Sequence, residues 1–452
     1  MTLLNELSAE VCQRARMSRD PRFDGRFFVA VKTTGIFCRP ICPANLPKEE
    51  NVEYFSSQAL AVSAGYRPCL RCRPESAPHS WAWKGAETTF LRALTLIEQG
   101  ELDGSLETLA SCLGISDRYL RQLFQRHLGM PPKQYAQIQQ LMFAKQLLHT
   151  SQISITEVAY ACGFQSTRRF NDAFQKLFRL TPTQVRRERA ALPSRNHLSL
   201  AFRGPFDWAH MLDFYRLRAI EGMELVDEQS YQRHFVLGEG TGWFKASMAQ
   251  SHLDIEFEME RLSDLRHLVA RLRRMFDLDA DLISIEAHLE QVAPGLVRRT
   301  GIRIPGVWNA WEAGVRAVLG QQVSVKAAIG QLNLLVSTLA ASEGSTRYFP
   351  TPEQVQMSDL SFLRMPERRK ETLKRLADYV RLHPMDSPMA WLSLSGIGPW
   401  TVDYAQLRGE SRSHCFLTGD LIVKKALAKF PQLTAESVAP WGSYATFHCW
   451  SH

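Results

Sequence analysis

The stretch Leu394-Ser395-Gly396-Ile397-Gly398-Pro399-Trp400-Thr401 lies near the C-terminal end of the chain, and Asp420 follows it after a helix-length interval. A Gly-x-Gly turn that opens a helix brings backbone N–H groups close to an anion, and the helix dipole adds positive character there. Asp420 precedes a second helical segment, so its carboxylate is predicted to face whatever the first helix binds. Gly396 and Gly398 therefore predict a phosphate site, although an isolated Gly-x-Gly is more often an ordinary turn.

The chain has 452 residues and a net charge of +8, and its excess of positive charge is confined to the N-terminal part. Residues 1–195 hold 26 Lys and Arg against 17 Asp and Glu, whereas the remainder holds 28 against 29. The length predicts several domains, and the basic excess in one part favours binding of a polyanion there. No apolar run of about 18 residues and no signal peptide is found, which predicts a cytoplasmic, nucleoid-associated protein without membrane contact.

Four of the nine cysteines form two close pairs, Cys38 with Cys42 and Cys69 with Cys72. Four thiolates at this spacing fit one tetrahedral zinc ion, and the odd total and the lack of an export signal argue against disulfides. Two interpretations stay open: the zinc ion is only a structural staple, or a zinc-bound thiolate is a nucleophile beside a phosphate. The arginines predicted to hold that phosphate are Arg39, Arg67, Arg71 and Arg73.

Residues 33–40, Thr-Thr-Gly-Ile-Phe-Cys-Arg-Pro, and residues 65–74, Gly-Tyr-Arg-Pro-Cys-Leu-Arg-Cys-Arg-Pro, closely resemble the N-terminal domain of the Ada adaptive-response proteins. The resemblance implies that Cys38 takes a methyl group irreversibly from a methylphosphotriester in DNA, with Thr34 and Arg67 near the phosphate. Methylation removes one negative charge, so it would strengthen DNA binding and act as a switch. Asn45 and Pro47 stand where some relatives carry basic residues, which leaves the strength of the switch open.

Residues 109–124 and 155–174 each show the order of helix, Gly turn, Ser cap and second helix. The pair resembles the AraC/XylS family of regulators, which implies that the second helices enter successive major grooves of double-stranded DNA, with RNA polymerase as a partner. The alternative is a helical bundle with a solvated basic face. The exposed side chains predicted to contact DNA are Arg118, Arg121 and Gln122 in the first unit, and Ser166, Arg168, Arg169 and Asn171 in the second.

From about residue 197 to the end, the chain resembles the AlkA type of 3-methyladenine DNA glycosylase, in the helix-hairpin-helix superfamily. The stretches that carry the resemblance are residues 205–208, 314–324, 394–401 and 441–445. The resemblance implies that Asp420 stabilises the cationic sugar while the glycosidic bond of a flipped N-alkylpurine breaks. Electron-rich rings suit a cationic base, and the candidates are Phe214, Trp400, Tyr404 and Trp450. Taken singly, each ring is more often core packing, and Asp420 is equally a helix cap.

Two further positions bear on the reaction. Trp400 occupies the position where strand-cutting members of the superfamily carry a lysine, so no Schiff base is expected and a monofunctional glycosylase is predicted. Gln322 stands where the family places an apolar wedge that fills the gap left by a flipped base. An amide there is expected to permit flipping but to fill the gap differently.

The sequence thus predicts a multidomain, monomeric protein with one zinc ion. Its predicted parts are a small α/β zinc domain (1–82), an all-α double helix-turn-helix domain (88–190), an α+β subdomain (196–285) and an all-α helix-hairpin-helix glycosylase domain (286–452). The alternative function is that of a transcriptional regulator whose glycosylase-like half only docks on DNA without catalysis. A Pro-Cys-His-Arg motif is absent from the sequence, so repair of O6-methylguanine is not predicted.

Overall fold

The computed structural model describes residues 8–20, 23–56, 58–69, 71–72, 74, 89–94, 96–98, 100, 105–187, 196–339, 342–343, 346–384 and 386–451. The chain divides into two compact units, Met1–Ala136 and Gln137–His452. Among the described residues, no helix combines the length and the apolar character needed to cross a membrane.

The first unit begins with a small α/β domain. Its elements in chain order are α1 (Ala9–Met17), β1 (Phe28–Val31), β2 (Ile36–Cys38), β3 (Val52–Phe55), α2 (Gln58–Ser63) and β4 (Arg67–Pro68). The sheet order is β3-β1-β2-β4, with β4 parallel to β2 and the other pairs antiparallel. Alternation along β1 sends Val29 to a core with Cys12 of α1, and Ala30 to a core with Ala61 of α2.

The first helix-turn-helix follows in the same unit. It consists of α3 (Leu106–Cys112) and α4 (Asp117–Leu128), after which α5 (Pro132–Thr150) starts and continues into the second unit. Gly114, with φ +67°, makes the turn, and the Ser116 side chain caps α4 by accepting from Tyr119 N at 3.2 Å. The described residues thus contain the predicted order of helix, Gly turn, Ser cap and helix.

The second unit opens with the second helix-turn-helix. It contains the rest of α5, then α6 (Ile155–Ala161), α7 (Thr167–Phe178) and α8 (Pro182–Arg187). Ser154 and Glu157 form a capping box at the start of α6, and Ser166 caps α7. Helix α6 contacts the 3-10 turn Leu262–Asp264 of the following subdomain.

An antiparallel five-stranded sheet comes next. Its strands are β5 (His197–Ala201), β6 (Glu224–Val226), β7 (Ser230–Leu237), β8 (Gly240–Met248) and β9 (His252–Met259), in the order β5-β9-β8-β7-β6. Helix α9 (Trp208–Arg216) connects β5 to β6, and α10 (Leu265–Met275) follows β9. Leu253, Ile255 and Phe257 of β9 are buried at alternate positions, as the sequence pattern predicts.

Helices form the remainder of the second unit. They are α11 (Leu282–Val292), α12 (Ala310–Gly320), α13 (Val325–Leu339), α14 (Pro352–Met357), α15 (Glu367–Leu382), α16 (Pro399–Glu410), α17 (Leu421–Lys429) and α18 (Gly442–Trp450), with a two-stranded ribbon of β10 (Ser342–Glu343) and β11 (Thr346–Arg347). Helix α12 is central and packs closely along α16, where a side chain at Gly409 would meet the backbone of Ala310. This approach fixes the helix that begins at the Gly-x-Gly turn.

A buried ionic network joins the sheet to the central helix. Arg233 of β7 contacts Glu312 of α12 at 2.6 Å and Glu224 of β6 at 3.1 Å. Arg316, one turn after Glu312, contacts Glu312 at 2.8 Å and Glu224 at 3.2 Å. All four side chains are at most 6% exposed. Burial alone would raise the pKa of Glu312, but the two guanidinium groups lower it to about 2.

We expect Glu312→Ala to lower the free energy of unfolding of the second unit by about 3–5 kcal/mol, because it leaves two buried arginines with only one of their two shared carboxylates, Glu224. Denaturant titration followed by tryptophan fluorescence measures this loss. Since the carboxyl pKa falls from 4.5 to about 2 on folding, the stabilisation is complete above pH 4.5 and is lost as the pH drops towards 2. Glu367→Ala, which removes a largely exposed partner of Lys370, is the control and should change stability by less than about 1 kcal/mol. Equal losses in the two variants would contradict the prediction.

Candidate functional site

The four clustered cysteines meet at one end of the first sheet. Cys38 ends β2, Cys42 lies in the turn that follows, and Cys69 comes directly after β4. The parallel pairing of β2 with β4 brings the two cysteine pairs together, and the backbone N–H of Cys69 donates to Phe37 O at 3.0 Å. The four Sγ atoms, including that of Cys72, lie within 4.8 Å of one another.

This cluster fits one zinc ion. Zinc–sulfur bonds of about 2.3 Å place the sulfurs of a tetrahedron roughly 3.8 Å apart, which lies inside the observed limit. A hydrogen bond to Cys72 and burial raise the pKa of Cys38, and the same hydrogen bond lowers the pKa of Cys72 to about 6. The thiols therefore share protons that a divalent cation would displace. The predicted four-cysteine zinc site is confirmed.

The arginines near the cluster differ in their availability. Arg39 donates to both carboxylate oxygens of Asp24 and, through Nη1, to Cys72 O at 3.3 Å. It is thus a bidentate partner of Asp24, which the sequence interpretation did not anticipate. Arg67 and Arg71 are exposed, as is Thr34 in the β1–β2 turn, while Arg73 lies outside the described residues. Asn45 is exposed, and Pro47 accepts from Arg16 Nη1 at 3.0 Å.

The side chains predicted to read DNA lie on the second helix of each helix-turn-helix. Arg118, Arg121 and Gln122 of α4 are exposed in the first unit, and Arg121 also pairs with Asp117 at 2.6 Å. Exposed on α7 of the second unit are Arg168, Arg169 and Asn171. Ser166, predicted to be exposed, is half-buried because its hydroxyl caps α7.

The Gly-x-Gly turn takes the predicted form. Gly398 is the N-terminal cap of α16, with Pro399 in the first turn. Gly396 has φ +94°, and a Cβ there would overlap Thr372 Oγ1, so only glycine fits. The turn therefore lies at the positive end of a helix, where a phosphate would be stabilised.

Asp420 is both the predicted carboxylate and a helix cap. Its Oδ1 accepts from the backbone N–H groups of Ile422 at 2.9 Å and Val423 at 3.2 Å, at the start of α17. The indole Nε1 of Trp450 donates to the same oxygen at 3.1 Å. Each described hydrogen bond of the side chain ends on Oδ1, so Oδ2 keeps its capacity to accept.

The four predicted aromatic residues line one cavity together with Asp420, and its volume is about 390 Å³. Trp400 and Tyr404 stack with ring centroids 5.3 Å apart, and Phe214 lies nearly parallel to Trp450 at 6.3 Å. Aliphatic side chains from the C-terminal end of α12, from α13 and from the loop between them also line the cavity, among them Leu319, Val323, Val325 and Ile329. Gln322 is exposed in the loop between these helices.

Two arginines near the cavity were missed from the sequence. The guanidinium of Arg218 lies 3.7 Å from the ring centroid of Phe214, and that of Arg408 lies 4.7 Å from it. Burial lowers the pKa of Arg218 to about 10, so it remains a cation at neutral pH. Arg408 also donates to the Tyr404 hydroxyl at 3.0 Å. Phe214 thus lies beside two cations, and the guanidinium of Arg408 is also 5.7 Å from the ring centroid of Tyr404.

Three family models match the chain. They describe the metal binding domain of Ada over residues 11–75, a helix-turn-helix domain over residues 109–188 and the AlkA N-terminal domain over residues 197–309. A probable bifunctional transcriptional activator/DNA repair enzyme AlkA from Mycobacterium tuberculosis is 34% identical over 475 residues, which span 98% of this chain and 96% of the relative. The chain belongs to this family.

Other relatives match the two halves of this AlkA-family chain separately. DNA-3-methyladenine glycosylase 2 of Escherichia coli is 33% identical over 56% of the chain and 96% of that protein. The bifunctional transcriptional activator/DNA repair enzyme Ada of Escherichia coli is 35% identical over 38% of the chain and 47% of that protein. The resemblances seen in the sequence and the multidomain fold class are confirmed, while the predicted domain boundaries stay predictions.

We expect Cys42→Ser to lower the zinc content of the purified protein from one ion per chain towards none, because the site loses one of four thiolate ligands. Elemental analysis after dialysis measures the content. The matched control is Cys112→Ser, which alters an exposed cysteine outside the cluster and should keep one ion. A full zinc content in Cys42→Ser would contradict the assignment of that ligand.

Proposed function

We propose that this chain removes N-alkylated purines from DNA by hydrolysing the N-glycosidic bond. It also senses methylphosphotriesters by methyl transfer to Cys38 and then activates transcription. The observation that carries the first activity is the meeting of Asp420 with three stacking rings in one cavity, beside a helix N-terminus that suits a phosphate. A cavity of about 390 Å³ lies within the range usual for small-molecule sites and accommodates a flipped base.

The reaction begins with DNA docking through a phosphate on the N–H groups at Gly396 and Gly398. The damaged nucleotide rotates out of the duplex, and its cationic base stacks on Trp400, Tyr404 and Trp450. The bond between C1′ and the base nitrogen breaks, and its electron pair leaves with the base, whose charge is thereby neutralised. Positive charge develops on the sugar, where the Asp420 carboxylate stabilises it.

Water completes the hydrolysis by adding at C1′ and losing a proton to solvent, which leaves an abasic site and the free base. Trp400 holds the position where a strand-cutting relative would need an amine, so the sugar is not captured as a Schiff base and the strand stays intact. This chemistry is that of a monofunctional glycosylase.

Methyl transfer in the N-terminal domain uses the Cys38 thiolate. Its sulfur attacks the methyl carbon of the phosphotriester, the methyl–oxygen bond breaks, and the electron pair returns to the phosphate oxygen. Zinc supplies charge stabilisation that keeps the cysteines deprotonated at neutral pH. Thr34 and Arg67 are exposed and suited to the phosphate, whereas Asp24 already holds Arg39. The thioether product carries one negative charge less, which favours a tighter hold on DNA.

Promoter recognition belongs to the two helix-turn-helix units. Arg118, Arg121 and Gln122 on α4 would read one major groove, and Arg168, Arg169 and Asn171 on α7 the next, with Ser166 at the start of that helix. The protein would act as a monomer on the nucleoid of the cytoplasm and recruit RNA polymerase. Residues 1–195 hold 26 basic and 17 acidic residues, and this excess of positive charge supports DNA contacts in this part of the chain.

We expect Asp420→Asn to slow release of 3-methyladenine from alkylated DNA by about 100-fold or more, because the sugar cation loses its charged partner. Chromatography of the released base measures the rate. Asparagine caps helices as well as aspartate does, so the variant should stay folded. Asp281→Asn makes the same change at the cap of α11 and is expected to keep the wild-type rate. No release by the intact chain would refute the glycosylase and favour a regulator that only docks on DNA.

We expect incubation with DNA carrying methylphosphotriesters to add one methyl group to the peptide that contains Cys38, since this thiolate is proposed as the acceptor. Peptide mass spectrometry locates the modification. Cys38→Ser should remain unmodified, while Cys112→Ser, altered at an exposed cysteine outside the cluster, should be methylated as fully as the wild type. An unmodified Cys38 in the zinc-loaded protein would reduce the metal site to a structural staple.

A further inference from the structure

The loop that joins α12 to α13 lies at the rim of the aromatic cavity. Gly320, at the end of α12, and Val323, within the loop, contribute to the cavity wall. Gln322 is exposed and has φ +56°, a backbone conformation that directs the chain sharply away from the end of α12. The loop therefore carries the residue that would occupy the space vacated by a flipped base.

Gln321, one residue earlier, extends its side chain to the Gly-x-Gly turn. Its Nε2 donates to the carbonyl oxygen of Gly396 at 3.2 Å and to Thr401 Oγ1 at 3.2 Å. A primary amide nitrogen has two N–H groups, and this geometry uses both of them. The Gln321 backbone N–H meanwhile donates to Val318 O at 3.4 Å and closes the end of α12.

Both acceptors belong to a rigid part of the hairpin. Thr401 is 2% exposed, and its backbone N–H donates to Gly398 O at 3.0 Å. Gly396 has φ +94° and lies so close to Thr372 that no larger residue fits there. Gln321 thus connects the loop that carries Gln322 to the Gly-x-Gly turn, through Gly396, and to the first turn of α16, through Thr401.

We propose that Gln321 is a positioning residue. It holds the loop that carries Gln322 at a fixed distance from the Gly-x-Gly turn, where a DNA phosphate would bind. The proposal rests on the proposed glycosylase function. Base flipping requires the hairpin to hold the backbone while Gln322 enters the duplex, and both must act on the same damaged site. Because misplacement by about 1 Å can cost up to about 100-fold in rate, a hydrogen-bonded tether between the two contacts matters for the reaction more than for DNA affinity.

The test compares Gln321→Met with the intact chain. Methionine keeps a similar length without N–H donors, so it removes the tether and retains most of the packing. We expect the single-turnover rate of 3-methyladenine release to fall about 10-fold, while the Kd for a duplex with an abasic-site analogue changes less than about 3-fold. The fluorescence of a 2-aminopurine next to the analogue should rise, because the loop no longer fills the gap reproducibly.

Gln331→Met is the matched control, since Gln331 on α13 uses its side-chain oxygen to accept from Arg364 N at 2.6 Å, a contact to another loop. This variant should keep the wild-type rate and fluorescence, even where its Tm falls as much as that of Gln321→Met. Gln321→Glu provides a second variant, in which an acceptor faces the Gly396 carbonyl, and it should also be slow.

A wild-type rate and fluorescence in Gln321→Met would overturn the positioning role, as would an equal loss of rate in Gln331→Met. A defect confined to Kd would also overturn it, because it would make Gln321 a DNA-binding residue only. These results differ from failure of the proposed function itself, in which the intact chain releases no base and both proposals are refuted.

Discussion

The buried carboxylate of Glu312, held between Arg233 and Arg316, is the interaction on which the C-terminal half depends. It fixes the central helix to the β6–β7 edge of the sheet. Arg316 extends the same network into the cavity wall and donates to Arg218 O at 3.0 Å, and Arg218 in turn stacks on Phe214. The end of the same helix carries Gln321, and its length packs along α16. The cavity, the Gly-x-Gly turn and the loop between α12 and α13 are therefore all positioned by the same helix, α12.

Local motifs explain what could be predicted from the sequence. Asp420 begins a helix, Gly396 and Gly398 form the turn, and the cysteine pairs meet, because each of these features depends on a few neighbouring residues. The four aromatic residues come from three separate helices, α9, α16 and α18, and only their agreement with one family indicated that they share a cavity. Ser166 is half-buried because it caps α7, so the cap predicted from the sequence is present but the exposure predicted for the same residue is not.

The arginines show why the rest could not be predicted. Arg39 and Asp24 are 15 residues apart and meet because β1 and β2 are neighbours in the sheet, a contact that no spacing rule encodes. Arg218 and Arg408 lie beside Phe214 although long charged side chains are rarely buried. Their burial is permitted by backbone carbonyl acceptors at Phe214 and Pro305, which only the tertiary fold supplies. Whether such an arginine is buried therefore depends on the tertiary fold of the C-terminal half and does not follow from any one segment of the sequence.

The hydrogen bonds on one oxygen of Asp420 have a consequence for the thermodynamics of the proposed reaction. Two backbone donors and an indole all hold Oδ1, so rotation of the carboxylate about its Cβ–Cγ bond is restricted before DNA arrives. The direction of the second oxygen is then a fixed property of the resting protein. A mobile carboxylate would lose rotational entropy when it meets a developing cation. For Asp420 this entropy has already been lost during folding, as in other preorganised sites.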